Sequence, residues 1–251
     1  MMVNREWVAI KKEELNKFNF FKEFYFYKTL TSTNETARKL IQDNTVPSYF
    51  VVSSETQTQG KGRWGRKWFS HPGGLWCSLV LPKTSIPSLR ATFSVVQTIR
   101  KLTPLTPGIR WPNDIIIKNK KAGGVITENE SGKLVIGVGV NINQENFPSE
   151  LKDATSLYIE LGRGGSRIAP ISIRQFLFEF IENFEKNLLI DEIIDKIREF
   201  LLLLGKRVTV KVKGGVKTGE FFDIGSDGSL FLRETTGIIS KLAPSEVEFI
   251  R

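Results

Sequence analysis

Between Ile109 and Asn143 the chain reads as short apolar runs, IRWPND, IIIKNKK, AGGVITE and KLVIGVGVNIN, punctuated by Gly, Asn and Pro. Spacers this short leave no room for crossover helices, so neighbouring strands are expected to run antiparallel. The spacer ENESGK at 128–133 predicts a hairpin. Further strands are predicted at FKEFYFYKTL, SYFVVSSE and GGLWCSLVLP. Helical periodicity appears in TSTNETARKLIQD, SLRATFSVVQTIRKL, ISIRQFLFEFIENFEKNLL and DEIIDKIREFLLLL. Ser32, with Glu35 three residues on, predicts a capping box at the first of these. The expected fold is therefore α+β, a mixed and largely antiparallel sheet packed with helices.

After Gly205 the pattern changes to strand, turn, strand, with Asp227-Gly228 as a hairpin signal. This predicts a main domain over 1–204, with 1–20 as an N-terminal extension, and a small β-barrel of about five strands over 205–251. No repeat of 20–50 residues is visible. Twenty residues are too few for a helix-turn-helix module, so no DNA-reading domain is expected.

The chain has 251 residues, enough for a sizeable core, and a net charge of +9. Its N-terminus lacks the apolar run of a secretory signal. No stretch is long and apolar enough for a membrane span, and the single cysteine leaves no disulfide framework. A cytoplasmic protein is expected. The positive charge implies an anionic partner, and its distribution says more than its total. Lys61, Arg63, Arg66 and Lys67 crowd into the glycine-rich segment TQGKGRWGRKW with no acidic residue among them. Glycines let backbone N–H groups approach an anion, and the cations hold phosphate or carboxylate. Trp68 offers a flat face for a ring. The alternative is a solvated loop that binds nucleic acid. A Walker loop is absent.

Three other stretches carry chemistry. In RWPNDIIIKNKKAGG, Trp111 and Pro112 present Asn113 and Asp114 at a strand boundary, a pair suited to Mg²⁺ or to ribose and phosphate oxygens. Lys121 brings a compact charge just before two glycines. An ordinary Asn-Asp turn and a solvated lysine cluster are the plain alternatives. In GVGVNIN, alternation puts Gly137, Gly139, Asn141 and Asn143 on one face, with glycine marking close approach of a ligand or backbone. Ser32, Thr33 and Asn34 open a predicted helix, as caps or as partners for a polar ligand head. His71 is expected at the surface, Cys77 in the core, and the aromatics of FLFEFIENF in packing.

Together, STN, QTQGKGRWGRKW, RWPNDIII, KKAGG, GVGVNIN and ATS at 154–156 resemble the biotin–protein ligases, in the short form without a DNA-binding domain. The resemblance runs from about Phe24 to the C-terminus. It implies a biotin/lipoate ligase-like domain with an SH3-like C-terminal barrel. It implies, too, that biotin is activated by ATP with Mg²⁺ as biotinyl-5′-AMP and passed to a lysine of a biotin carboxyl carrier protein domain. No tightly bound prosthetic group and no membrane are expected, and a homodimer is.

Carried over by residue, Ser32, Thr33, Asn34, Gln57, Gly60, Lys61, Arg63, Trp68, Lys121, Gly124, Gly137 and Gly139 would bind biotin. Arg63, Arg66, Trp68, Asn113, Lys121 and Asn141 would bind ATP. Lys121, Arg63 and Asp114 would act in catalysis, and Asp114 with Asn141 would meet the metal. Three positions depart from the usual pattern: Lys61 where arginine is common, Trp64 where arginine or an aliphatic residue is, and Gly123 where alanine is. The basic loop is expected to order when substrate binds.

Overall fold

The hairpin predicted at 128–133 joins β6 (Lys120–Glu130) to β7 (Lys133–Asn141), turning through Ser131 and Gly132 at φ +48° and +80°. The computed structural model describes residues 12–43, 46–162 and 169–250. The remaining strands of the main sheet are β1 (Glu23–Leu30), β2 (Phe50–Gln57), β3 (Gly74–Pro82), β4 (Gly108–Arg110) and β5 (Asp114–Ile117). Their order is β1-β2-β3-β7-β6-β5-β4. Only β1 and β2 pair in parallel, and the connection between them carries a helix, α2 (Thr33–Gln42), as a parallel pair requires. The short strand-forming spacers of the sequence correspond to the antiparallel remainder.

Alternation along β3 and β7 gives the sheet two different faces. Leu75, Cys77, Leu79, Leu81, Ile136, Val138 and Val140 face the large core, with helices α3 (Pro87–Leu102) and α5 (Ile173–Leu188) against it. Phe176, Phe180 and Phe184 of α5 are fully buried there, as their helical spacing predicts. The other face carries a smaller cluster, Phe50, Val52, Val80 and Val135, under Ala37 and Ile41 of α2. On this face β3 and β7 also present Ser78, Gly137, Gly139 and Asn141, and the site forms here.

Two local expectations are corrected. The capping box is not made: Ser32 has no side-chain cap bond, and Glu35 instead lies 4.0 Å from Lys61. The helix predicted over DEIIDKIREFLLLL is only α6 (Ile193–Arg198). The leucine run that follows pairs with the sheet edge instead, since Ile109 N–H donates to Phe200 O (2.7 Å) and Leu202 N–H to Ile109 O (3.0 Å). The described part of the N-terminal extension belongs to the main body. Helix α1 (Lys12–Leu15) leads to Phe18 and Phe21, both fully buried, and the buried Glu185 carboxylate accepts N–H bonds from Asn19, Phe20 and Phe21. Residues 1–11 lie outside the described residues.

The C-terminal strands β8 (Arg207–Val212), β9 (Gly215–Ile224), β10 (Leu230–Glu234), β11 (Ile239–Leu242) and β12 (Val247–Ile250) form a second antiparallel sheet in the order β11-β10-β9-β8-β12. Asp227-Gly228 is the β9–β10 turn, with Gly228 at φ +78°. That turn docks against the β4–β5 connection: Trp111 Nε1–H donates to Gly228 O at 3.0 Å. Among the described residues no helix is long and apolar enough to cross a membrane. Between β7 and α5, helix α4 (Leu157–Gly162) follows the ATS segment.

Candidate active site

A cavity of about 600 Å³ opens on the α2 face of the main sheet, a volume typical of small-molecule sites. All the residues assigned above to biotin, ATP, metal or catalysis line it except Gly60. Gly60 shapes the loop. Its carbonyl accepts Trp68 N–H at 2.8 Å, and a β-carbon there would come within 2.5 Å of Ser70 Oγ and Trp68 O. Its bare backbone closes the base of the loop.

One end of the cavity is a polar network. Thr33 N–H donates to Gln57 Oε1 (2.8 Å), and Gln57 Nε2 donates to Ser70 Oγ (2.8 Å). Ser78 Oγ lies 2.8 Å from Thr33 Oγ1 and 2.6 Å from Asn34 Oδ1. Ser32, Thr33, Asn34 and Ser78 are all buried. Buried hydroxyls and amides held this way can exchange bonds with a ligand that brings both donors and acceptors. The glycines of β7 make room for it: a β-carbon on Gly137 would stand 2.4 Å from Asn34 Oδ1, and one on Gly139 would stand 2.6 Å from Trp68 Nε1.

The other end is charged. Lys121 Nζ lies 2.6 Å from Asp114 Oδ1 and 5.2 Å from the centre of the Trp68 ring. A bulge aims this lysine. Ile115 pairs with Gly123 but Ile116 with Lys121, which leaves Ala122 as the extra residue on β6. The backbone of Lys121 is clamped by a segment that strand periodicity does not reveal: its N–H donates to Asp153 O (2.7 Å) and its carbonyl accepts Thr155 N–H (2.9 Å).

The basic segment folds over the charged end. Lys61 and Lys67 form a β-bridge, Gly62 N–H donates to Arg66 O (2.7 Å), and a single 3-10 turn spans Arg63–Gly65. Trp64, at the tip, is half exposed with φ +60°. Arg63 ties the loop to the β4–β5 turn and to the C-terminal strands, donating to Asn113 Oδ1 (3.1 Å), Pro244 O and Val247 O (2.7 Å). Burial lowers its pKa from the usual guanidinium value; the Asp114 charge opposes that shift and Arg66 adds to it. Arg66 donates to Glu248 O at 3.1 Å. The four cations line the cavity, an arrangement suited to a small polyanion enclosed by the protein.

Asn113 Nδ2 donates to Val125 O and Asn141 Nδ2 to Thr155 O. Asn143 does not reach the cavity: β7 ends at Asn141, and Asn143 instead exchanges two bonds with the backbone of Ile171. His71 is exposed and stacks on Phe69, with centroids 4.1 Å apart. Cys77 is buried, and burial pushes its thiol pKa up. Among the described residues no three His, Cys, Asp or Glu side chains cluster as a metal cage. A donor set of one carboxylate, Asp114, and one amide, Asn141, fits Mg²⁺ that arrives bound to phosphates.

Sequence reading missed two walls of the cavity: the segment from Phe147 to Ala154, and Glu248, Phe249 and Ile250 of β12. The ATS triplet beside the first was a usable signal. The second comes from a distant strand and had none.

The biotin/lipoate A/B protein ligase family profile matches residues 25–144. Among curated proteins, the bifunctional ligase/repressor BirA of Bacillus subtilis is 32% identical over 89% of this chain and 73% of its own length. The biotin–[acetyl-CoA-carboxylase] ligase of Mycobacterium tuberculosis is 31% identical over 72% of each. Among solved structures, a biotin protein ligase from Aquifex aeolicus in complex with biotin and ATP superposes with a TM-score of 0.81 at 28% identity, covering 92% of this chain and 99% of that one.

Proposed function

The chain belongs to the biotin/lipoate A/B protein ligase family and is a biotin ligase; from that premise we propose that its one cavity carries out two successive steps. In the first, an oxygen of the biotin carboxylate attacks the α-phosphorus of ATP. The bond from that phosphorus to the bridging oxygen of pyrophosphate breaks, leaving biotinyl-5′-AMP. In the second, an acceptor lysine amine attacks the acyl carbon, the bond to AMP breaks, and the amine loses a proton. The acceptor in this reading is a biotin carboxyl carrier protein domain.

The observation that carries the proposal is the division of the cavity into a neutral hydrogen-bonding end and a cationic end. A carboxylate and a triphosphate repel each other, and the first step must bring them together. Lys121, Arg63 and Arg66 supply positive charge where that negative charge accumulates, in surroundings poorer in water than bulk solvent. Lys121 suits the point where carboxylate and phosphate oxygens meet, because a compact ammonium serves either. The neutral end holds the ureido head through Ser32, Thr33, Asn34 and Gln57. Trp68 stacks on a ring, and its Nε1–H, buried without a bond, is a donor left for a ligand. Asn113, Asp114 and Asn141 face the nucleotide. Mg²⁺, bound with the phosphates and held by Asp114 and Asn141, would offset their charge.

The test is transfer. With ATP, Mg²⁺ and biotin, the purified protein should add one biotinyl group to one lysine of a carrier domain, read by intact mass. Lipoic or octanoic acid in place of biotin should leave the carrier mass unchanged, since neither brings partners to the polar end. Transfer of either acid in preference to biotin would overturn the assignment of substrate.

A further inference from the structure

Glu128, on β6 outside the cavity, accepts a hydrogen bond from Asn34 Nδ2 at 3.0 Å. We infer that this carboxylate is a positioning residue for biotin, setting the direction in which Asn34 and Ser78 donate and accept. The inference rests on the reading of Asn34 as a biotin contact. A carboxylate only accepts, so Asn34 must turn its NH₂ group outward and its Oδ1 inward. Asn34 Oδ1 then requires a donor, and Ser78 Oγ, 2.6 Å away and fully buried, supplies its one proton there. With that proton committed, the Thr33 hydroxyl, 2.8 Å from Ser78 Oγ and 3.2 Å from Gln57 Oε1, donates to one of these two oxygens. Gln57 Oε1 accepts the Thr33 N–H in either case. One acceptor-only group at the end of the chain thereby fixes an amide orientation and the Ser78 hydroxyl. Asn34 and Ser78 are presented in a single donor and acceptor pattern before the ligand arrives, which spares the cost of ordering them on binding.

Two neighbours show that the role belongs to Glu128 in particular. Glu130, two residues along the same face of β6, pairs with Arg38 and Gln42 on the outer part of α2 and holds the helix without touching the network. On the inner side, Asn34 Oδ1 packs against the bare backbone of Gly137. The amide thus has one partner on each side, and only Glu128 distinguishes its two ends.

The test is calorimetric titration of the full chain with biotin, for the native protein, Glu128→Leu, Glu128→Gln, Asn34→Ala and the Glu128→Leu/Asn34→Ala double variant. Loss of a bond to a charged group at a buried amide should weaken biotin binding by about tenfold or more in Glu128→Leu. Glu128→Gln keeps an acceptor oxygen and should recover most of that loss. The double variant should bind no more weakly than Asn34→Ala alone, because Glu128 acts only through Asn34. Affinity for a non-hydrolysable ATP analogue should not change. Should Glu128→Leu fail to fold, Glu128→Ala carries the same expectations. Native affinity in Glu128→Leu, or losses that simply add in the double variant, would overturn the inference. Absence of biotin binding by the native protein would instead overturn the functional reading beneath it.

Discussion

Lys121 Nζ and Asp114 Oδ1 meet at 2.6 Å across the β5–β6 pair, at the point where β6 bulges. The bulge turns the lysine toward the cavity, and the carboxylate holds it there while leaving its other two donors for a ligand. Position and partner together make this ammonium the group best placed to serve an acyl carboxylate and a phosphate at once.

Replacing Lys121 with Ala should lower the rate of adenylate formation by about 100- to 1000-fold, the usual cost of removing one preorganised donor at developing charge. Biotin affinity should change far less, since the neutral end of the cavity is untouched. Single-turnover formation of biotinyl-AMP measures this, and full activity would remove Lys121 from the chemistry.

Arg63→Gly should sever the bonds from the basic loop to Asn113, Pro244 and Val247. With the loop untied, activated biotin should escape and label lysines of unrelated proteins severalfold more than the native enzyme does. Biotin blots of an added bystander protein read the effect; labelling at the native level would count against a retaining role.

The basic loop offers trypsin Lys61, Arg63, Arg66 and Lys67 together. Biotin with an ATP analogue should slow cleavage there, by closing a segment held now mainly by a few polar contacts. Equal cleavage rates with and without ligands would show that the loop does not order on binding.

Gly139→Ala should push a methyl group to within 2.6 Å of Trp68 Nε1 and displace the ring. Overpacking of this kind costs about 1–3 kcal/mol, so ligand affinity should fall by about tenfold. Gly214→Ala, with no atom near its would-be β-carbon, is the control and should be neutral.

Acid should loosen the pairing of β12 with β8, where Lys211 meets Glu248 at 2.8 Å. The hydrogen bond from Lys211 holds the Glu248 carboxyl below its ordinary pKa of 4.5; Arg66 helps and burial opposes. A pKa depressed in the folded state contributes stability above the unfolded value and loses it as pH falls through the folded one. Melting temperature should therefore decline below pH of about 4.5, and less steeply in Glu248→Gln. A constant gap between native and variant curves from pH 7 to 3 would contradict this.

Much of this was legible in the sequence because it is local. Period-two alternation in GVGVNIN put glycines and Asn141 on one face, and the short spacers of 109–143 required antiparallel pairing. What escaped was non-local. Asn143 continues the alternation but not the strand, because its amide is taken by Ile171. The leucines after Arg198 have helical character yet gain more by covering the β4 edge. Ser32 resembles a cap but faces the cavity. Nothing near Arg63 in sequence announces that carbonyls of Pro244 and Val247, from the far end of the chain, receive it.

The central claim, that one cavity joins a carboxylate to a nucleotide phosphate, is tested most directly by incubating the purified protein with biotin, Mg²⁺ and ATP labelled at the α-phosphate, with no acceptor present. Label should move into biotinyl-AMP, with release of an equal amount of pyrophosphate. Label remaining in ATP, in a protein that calorimetry shows to bind biotin, would contradict it.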